Sequence, residues 1–180
     1  MDRNKALEII KTKMSNDRMI KHSFAVSACM EALAERFNED KEKWELAGLF
    51  HDIDYEETID KPHEHGIKGA EYLESFEVSP DILYAIKVHA GNAEPISNLD
   101  IALLASDAVS GLIVASVLVN KEGLRGIDTD FILKRFKEKR FAAGANRESI
   151  KKCEEIGLEL HEFISICIEG MKNAADILGL

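Results

Sequence analysis

A chain of 180 residues with a formal net charge of -10 and a pI near 5.1 is long enough to bury roughly 70% of its unfolded surface around one core without staples. The charge argues against a general nucleic-acid binder, because phosphate backbones are held by clustered Lys and Arg; an acidic protein that works on phosphates needs local positive charge, and a divalent ion is one source. Cys29, Cys153 and Cys167 lack CxxC spacing and read as free buried thiols in a reducing cytoplasm, and MDRNKALEIIKTKM contains no secretory apolar run.

Only three prolines interrupt the chain, and apolar residues recur at the three- and four-residue steps of a helix. The pattern predicts a first helix over 2–14 with Ala6, Leu7, Ile10 and Met14 on one face. Asn16 or Asp17 starts a second, through about Phe37, and Asn38 caps a third over 39–50 whose acidic first turn suits the helix dipole. A polar loop is expected over 56–62, then a helix over 64–75. Ser79-Pro80-Asp81 is a helix start, and that helix runs to His89. Residues 99–119 are the most apolar stretch and approach the length of a membrane span. An ionised Asp107 near their centre would cost about 2.5 to 3.5 kcal/mol on insertion, so they read as a buried central helix with no membrane association. Further helices follow over 128–141, 147–156 and 158–178. The last carries a stripe of Leu158, Phe163, Ile164, Cys167, Met171 and Ile177 that either packs internally or forms a homodimer contact. No repeat is visible, and the expected architecture is an all-α, single-domain helical bundle.

Within this helical frame, polar side chains fall where burial is costly. The run Ala47-Gly48-Leu49-Phe50 ends in His51-Asp52-Ile53-Asp54. His22 lies on the second helix between Ile20 and Phe24, His65 opens the fourth, His89 ends the fifth, and Asp107 interrupts the most apolar helix. Each alone has a plain structural explanation. Together they are mixed His and carboxylate donors of the kind used by zinc, iron and manganese sites. His63 reads as exposed and His161 as structural.

The ordered set of His22, His51-Asp52, His65, His89 and Asp107 resembles the HD superfamily of metal-dependent phosphohydrolases. Leu49-Phe50-His51-Asp52-Ile53-Asp54 looks like its HD motif, His65-Gly66-Ile67-Lys68-Gly69-Ala70 its following His segment, and Ala105-Ser106-Asp107-Ala108 its terminal Asp motif. Ser110-Gly111-Leu112-Ile113-Val114-Ala115 and Phe141-Ala142-Ala143-Gly144-Ala145-Asn146-Arg147 are similar to a subgroup of small HD hydrolases. The resemblance implies one HD-type domain over 1–180, with a metal-binding core over about 19–118 and a C-terminal helical extension over about 128–180. Two departures stand out. Asp54 and Tyr55 replace the Gly-Lys common in relatives, and the Gly-Tyr-Pro signature of cyclic-dinucleotide phosphodiesterases is absent after His89.

The resemblance further implies one or two divalent ions, with Mn, Fe, Zn, Mg, Co and Ni all open. His22, His51, Asp52 and Asp107 would hold the first, and Asp52 would bridge to a second at His65 and His89. Water activated by the metal would attack a phosphomonoester or phosphodiester, plausibly a nucleotide or other small phosphorylated metabolite. Lys68 and Arg18 are candidates for phosphate contact, Lys68 alternatively a solvated lysine. Asp54 either orients water or acts as acid or base, or simply pairs with a neighbouring cation. The alternatives are an HD-type di-iron oxygenase and a metal- or nucleotide-binding sensor without turnover, for which the missing motif Lys leaves room.

Overall fold

Residues 1–180 are all described by a computed structural model that is helical throughout, with no strand. α1 (Arg3–Lys13) leads into α2 (Asp17–Phe37) and α3 (Lys41–Phe50). The one-turn α4 (Tyr55–Thr58) precedes α5 (Ile67–Glu74), α6 (Pro80–His89) and the long α7 (Asn98–Val119). After a 3-10 turn at Gly123–Gly126 come α8 (Thr129–Lys137), α9 (Arg147–Lys151) with a 3-10 continuation at Lys152–Ile156, α10 (Leu160–Asn173) and α11 (Ala175–Leu178). The all-α class expected from the apolar periodicity is the one observed.

α2 and α7 are the spine. α2 packs against α3, α7 and α10, while α7 also meets α6 and α9, and one core of 45 buried residues runs through them. α7 is long and apolar enough to cross a membrane, with mean hydropathy 2.1, yet 61% of that window is buried among the other helices. Its start is fixed by a capping box in which the Ser97 hydroxyl accepts from the Asp100 N–H and the Asp100 carboxylate accepts from the Ser97 N–H. The helix expected over 158–178 is two, α10 and α11, and its stripe packs internally: Leu158, Phe163, Ile164, Cys167 and Met171 are buried, and of the stripe only Ile177, in α11, is exposed.

Several boundaries differ from the sequence expectation. Asn38 does not cap α3; it adopts a left-handed φ of 55° and closes α2, a conformation that Asn tolerates. Asp40 caps α3 by accepting from the Lys43 N–H. In α1 the buried face is Ala6, Ile9 and Ile10, with Leu7 only half-buried. The loop expected over 56–62 contains α4, and the helix expected from 64 begins at Ile67, since residues 59–66 form turns. Those turns end on Gly66, whose φ of 72° and whose approach to the Ile86 carbonyl (a Cβ would stand 2.6 Å from its oxygen) exclude a side chain. α8 ends at Lys137 rather than Phe141. There the Arg147 guanidinium donates to the carbonyls of Phe136, Phe141, Ala142 and Ala145, holding those oxygens outside a regular helix.

The crossing that positions the site is α2 against α3. A Cβ on Gly48 would stand 2.5 Å from the Ser27 Cα, so only glycine lets the two backbones approach this closely. His51, one turn beyond, is thereby carried to the side of His22.

Candidate metal centre

Six side chains meet where α2, α3, α6 and α7 converge. His22 Nε2 lies 2.9 Å from Asp107 Oδ1, 3.2 Å from His51 Nε2 and 3.6 Å from Asp52 Oδ2. His51 Nε2 lies 3.2 Å from the same Asp52 oxygen and 3.8 Å from Asp107 Oδ1. The other carboxylate oxygen of Asp52 faces elsewhere, 3.1 Å from His65 Nε2 and 3.4 Å from His89 Nε2. All six residues expected as ligands are therefore brought together, with Asp52 between two histidine pairs.

Each imidazole is held by its outer nitrogen. His51 Nδ1 donates to the Gly48 carbonyl at 2.8 Å, and His89 Nδ1 to the Ile86 carbonyl at 2.5 Å. Both acceptors lie three residues back, so the helix end itself supplies them. His65 Nδ1 donates to Asp54 Oδ1 at 2.9 Å. His22 Nδ1 faces the Ser110 hydroxyl at 3.4 Å, and that hydroxyl donates to the Asp107 carbonyl. Fixing Nδ1 in this way leaves Nε2 as the free lone pair, the arrangement that orients metal-binding histidines.

The donor set fits a divalent ion on its own geometry. Ligand atoms about 2.0 to 2.2 Å from one ion stand roughly 3 to 3.5 Å apart, close to the spacings above. His22, His51 and Asp107 form one group of converging donors, and His51, Asp52 and His89 another. His89 Nε2 is buried without a hydrogen-bond partner, a vacancy that costs about 1 to 3 kcal/mol unless something binds there. Charge coupling is strong. Burial pushes His51 down, but Asp52, with help from Asp107 and the Gly48 carbonyl, carries it up to about 9. His65 is likewise pushed down by burial and raised further by Asp52 and Asp54, to about 10. Burial would raise Asp52, yet His51, His65 and His89 hold it well below the usual carboxylate range. Asp107 is lowered by the His22 hydrogen bond and the surrounding imidazoles against the opposing effect of burial. The cluster therefore attracts positive charge strongly, as protons or as metal.

The remaining candidates are placed differently. Asp54 is buried and does not face the centre. One oxygen accepts from His65 and the other from the Gly69 N–H at 2.7 Å, an arrangement that matches the second of its two readings, pairing with a neighbouring cation, and places it behind His65. Lys68 also points away, pairing with Glu71 at 3.1 Å; Glu71 raises its pKa further. That matches the alternative reading of Lys68 as a solvated lysine. Arg18, one turn before His22, lines a groove beside that residue together with Lys21. The Tyr55 ring, in place of the relatives' Lys, packs edge-on against His65 at 6.2 Å between centroids. His63 is exposed, and so is His161 at the start of α10. Ser110, Lys21 and Asn92, whose amide donates to the His65 carbonyl at 2.7 Å, were not singled out from sequence. Ser110 alone left a signal, a small polar residue three positions after Asp107.

Parts of the chain are similar to known proteins. A ribonuclease Y of Oleidesulfovibrio alaskensis is 30% identical over 96 residues, 53% of this chain and 18% of the relative. That of Lawsonia intracellularis is 32% identical over 94 residues, 52% and 18%, and that of Thermosipho melanesiensis 28% over 134 residues, 72% and 26%. The chain thus spans about a quarter or less of the length of these relatives. No solved structure gives a significant match. The HD domain family matches residues 19–112, a stretch that holds all six converging donors and more than half of the chain, and the protein belongs to that family.

Proposed function

We propose that this chain is a metal-dependent hydrolase of a small phosphorylated substrate, a phosphomonoester or phosphodiester such as a nucleotide. The observation that carries the reading is Asp52, whose two oxygens face separate histidine pairs, as a carboxylate bridging two ions would. HD-family membership supports the phosphohydrolase class. His22, His51, Asp52 and Asp107 would hold one ion, and Asp52, His65 and His89 a second. Four imidazoles favour a transition metal over Mg. Such ions supply an activated water near neutral pH and neutralise phosphate charge. The chain's own residues orient and bind: Asp54 and the Gly48 and Ile86 carbonyls fix the imidazoles, and Arg18 and Lys21 offer charge to a phosphate at the rim. Three free buried cysteines support a cytoplasmic setting.

The relatives' name, ribonuclease Y, makes an RNA phosphodiester the substrate to include beside small metabolites. The nitrogen-rich donor set also suits iron, which keeps a di-iron oxygenase as the second reading. The test is metal analysis of purified protein, then a panel of phosphorylated metabolites and a short RNA with Mn under anaerobic conditions, with Asp107→Ala as control. Phosphate release by the wild type and none by the variant is expected. Protein without divalent metal, or turnover that requires dioxygen, defeats the reading.

A further inference from the structure

The groove beside His22 has a volume of about 670 Å³ and two kinds of lining. From α2 come Arg18 and Lys21, both exposed and neither in an ion pair, with the Lys21 ammonium beside Gly179. The other lining side chains carry no polar atom: Gly111, Val114, Ala115 and Leu118 from α7, and Leu178 with Gly179 and Leu180 after it, whose backbone alone is polar.

The spacing on α7 explains why the groove leads out of the metal centre. Asp107, Gly111, Val114 and Leu118 succeed one another at four-, three- and four-residue steps, so they share one helix face. That face starts at a donor in contact with His22 and runs roughly 16 Å, at about 1.5 Å per residue, to the helix end. The backbone beneath it is spent on helical hydrogen bonds, so the wall offers little to a hydroxyl. Leu118 is 76% exposed at the outer edge, an apolar surface with nothing of this chain covering it. Gly111 keeps the floor open: a Cβ there meets no atom within 4 Å.

From this the geometry points to a substrate class: a phosphate ester whose organic group is apolar, aromatic or aliphatic, with the phosphate toward Arg18, Lys21 and the metal centre and the apolar body along Gly111, Val114 and Leu118. The assignment rests on the phosphohydrolase reading for the chemistry but not for the binding. Sugar phosphates fit poorly, because their hydroxyls would lie unpaired against an apolar wall. Charge complementarity sets the orientation: Arg18 and Lys21 are the only Lys or Arg lining the groove in a chain of net charge -10, and they stand on the same helix as His22, so that wall takes the phosphate.

Calorimetric titration of the purified protein with 1-naphthyl phosphate, glucose 6-phosphate and inorganic phosphate tests the assignment. Naphthyl phosphate should bind at least tenfold more tightly than the other two. Gly111→Leu, which fills open space, and Leu118→Glu should each remove that preference while leaving inorganic phosphate binding within twofold; Arg18→Ala should weaken all three. Equal binding of the three ligands, no binding of naphthyl phosphate, or a preference that survives Gly111→Leu in a variant with wild-type melting overturns the groove assignment. Hydrolysis followed in the same samples separates the two claims. A binding preference without turnover of any ester removes the phosphohydrolase reading and leaves the groove assignment standing, whereas turnover with equal kcat/KM for naphthyl and glucose phosphates removes the groove assignment alone.

Discussion

His22 and His51 stand Nε2 to Nε2 at 3.2 Å, and because His51 Nδ1 donates to the Gly48 carbonyl and His22 Nδ1 faces Ser110, neither neutral ring can donate to the other. Two lone pairs aimed across such a gap need a proton or a cation between them.

Metal content should divide along the two oxygens of Asp52. His89→Ala is expected to lower bound metal to roughly half, as for one ion of a two-metal pair, while Asp52→Ala should abolish it. Elemental analysis of dialysed protein checks both, and equal retention by the two variants would contradict a bridging carboxylate.

Asp54 acts through His65. Asp54→Asn keeps the shape but removes the charge behind the imidazole, and such partners typically carry 10- to 100-fold in metal affinity. Competition with a chromophoric chelator should show a loss of that order confined to the weaker-bound ion. An unchanged titration would make Asp54 merely a strut for Gly69.

Metal-free protein should have an unusual stability profile. His51 at about 9 and His65 at about 10 lie above the value of about 6.5 expected in an unfolded chain. Their contribution is therefore complete below about pH 6.5 and is lost as pH rises through 9 to 10. Asp52 and Asp107 are depressed, so theirs is present above about pH 4 and lost as pH falls below it. Melting of chelator-treated protein should peak between these limits and decline from pH 7 to 10. Metal-loaded protein should not share the alkaline decline, because the ion replaces the protons. A flat metal-free profile from pH 6 to 9 counts against the coupling.

Two glycines should respond oppositely to alanine. Gly48→Ala forces α2 and α3 apart at Ser27 and is expected to cost about 1 to 3 kcal/mol of stability, with loss of metal as His22 and His51 separate. Gly111→Ala adds a methyl to open space in a helix and should be neutral or stabilising by about 0.4 to 1 kcal/mol. Urea denaturation of the pair reads both.

Much of this was legible in sequence because helical periodicity is local. The start of α2 at Asn16 and the burial of α7 followed from spacing and capping chemistry; α6 does begin at Pro80, but the Ser79 hydroxyl expected to cap it makes no hydrogen bond. The six donors stood out as polar residues on buried faces or at helix ends, and the resemblance to the HD superfamily joined them into one set. What spacing could not give was direction. Lys68 follows His65 by three residues, but His65 stands in a turn rather than in α5, so the shared helix face assumed for them does not exist. Asp54 and Asp52 are two residues apart, yet one faces the centre and the other the back of His65, because the chain leaves the helical path after Phe50. The early end of α8 depended on Arg147, ten residues further on, and contacts between separate segments leave no periodic trace.

The two halves of the centre rest on different foundations. His22, His51 and Asp107 project from α2, α3 and α7, whose separation means breaking the core. His65 instead stands in the turns over 59–66, tied by the Asn92 amide on its carbonyl and by Asp54 on its ring. Local opening of that segment costs less than global unfolding, and it releases one donor of the second ion while leaving the first ion's donors in place. Amide exchange should accordingly be fast over residues 59–66 and slow over α2 and α7. An ion held on the His65 side would then be released at the free energy of opening a surface turn, while the donors on α2, α3 and α7 and the fold itself stay in place.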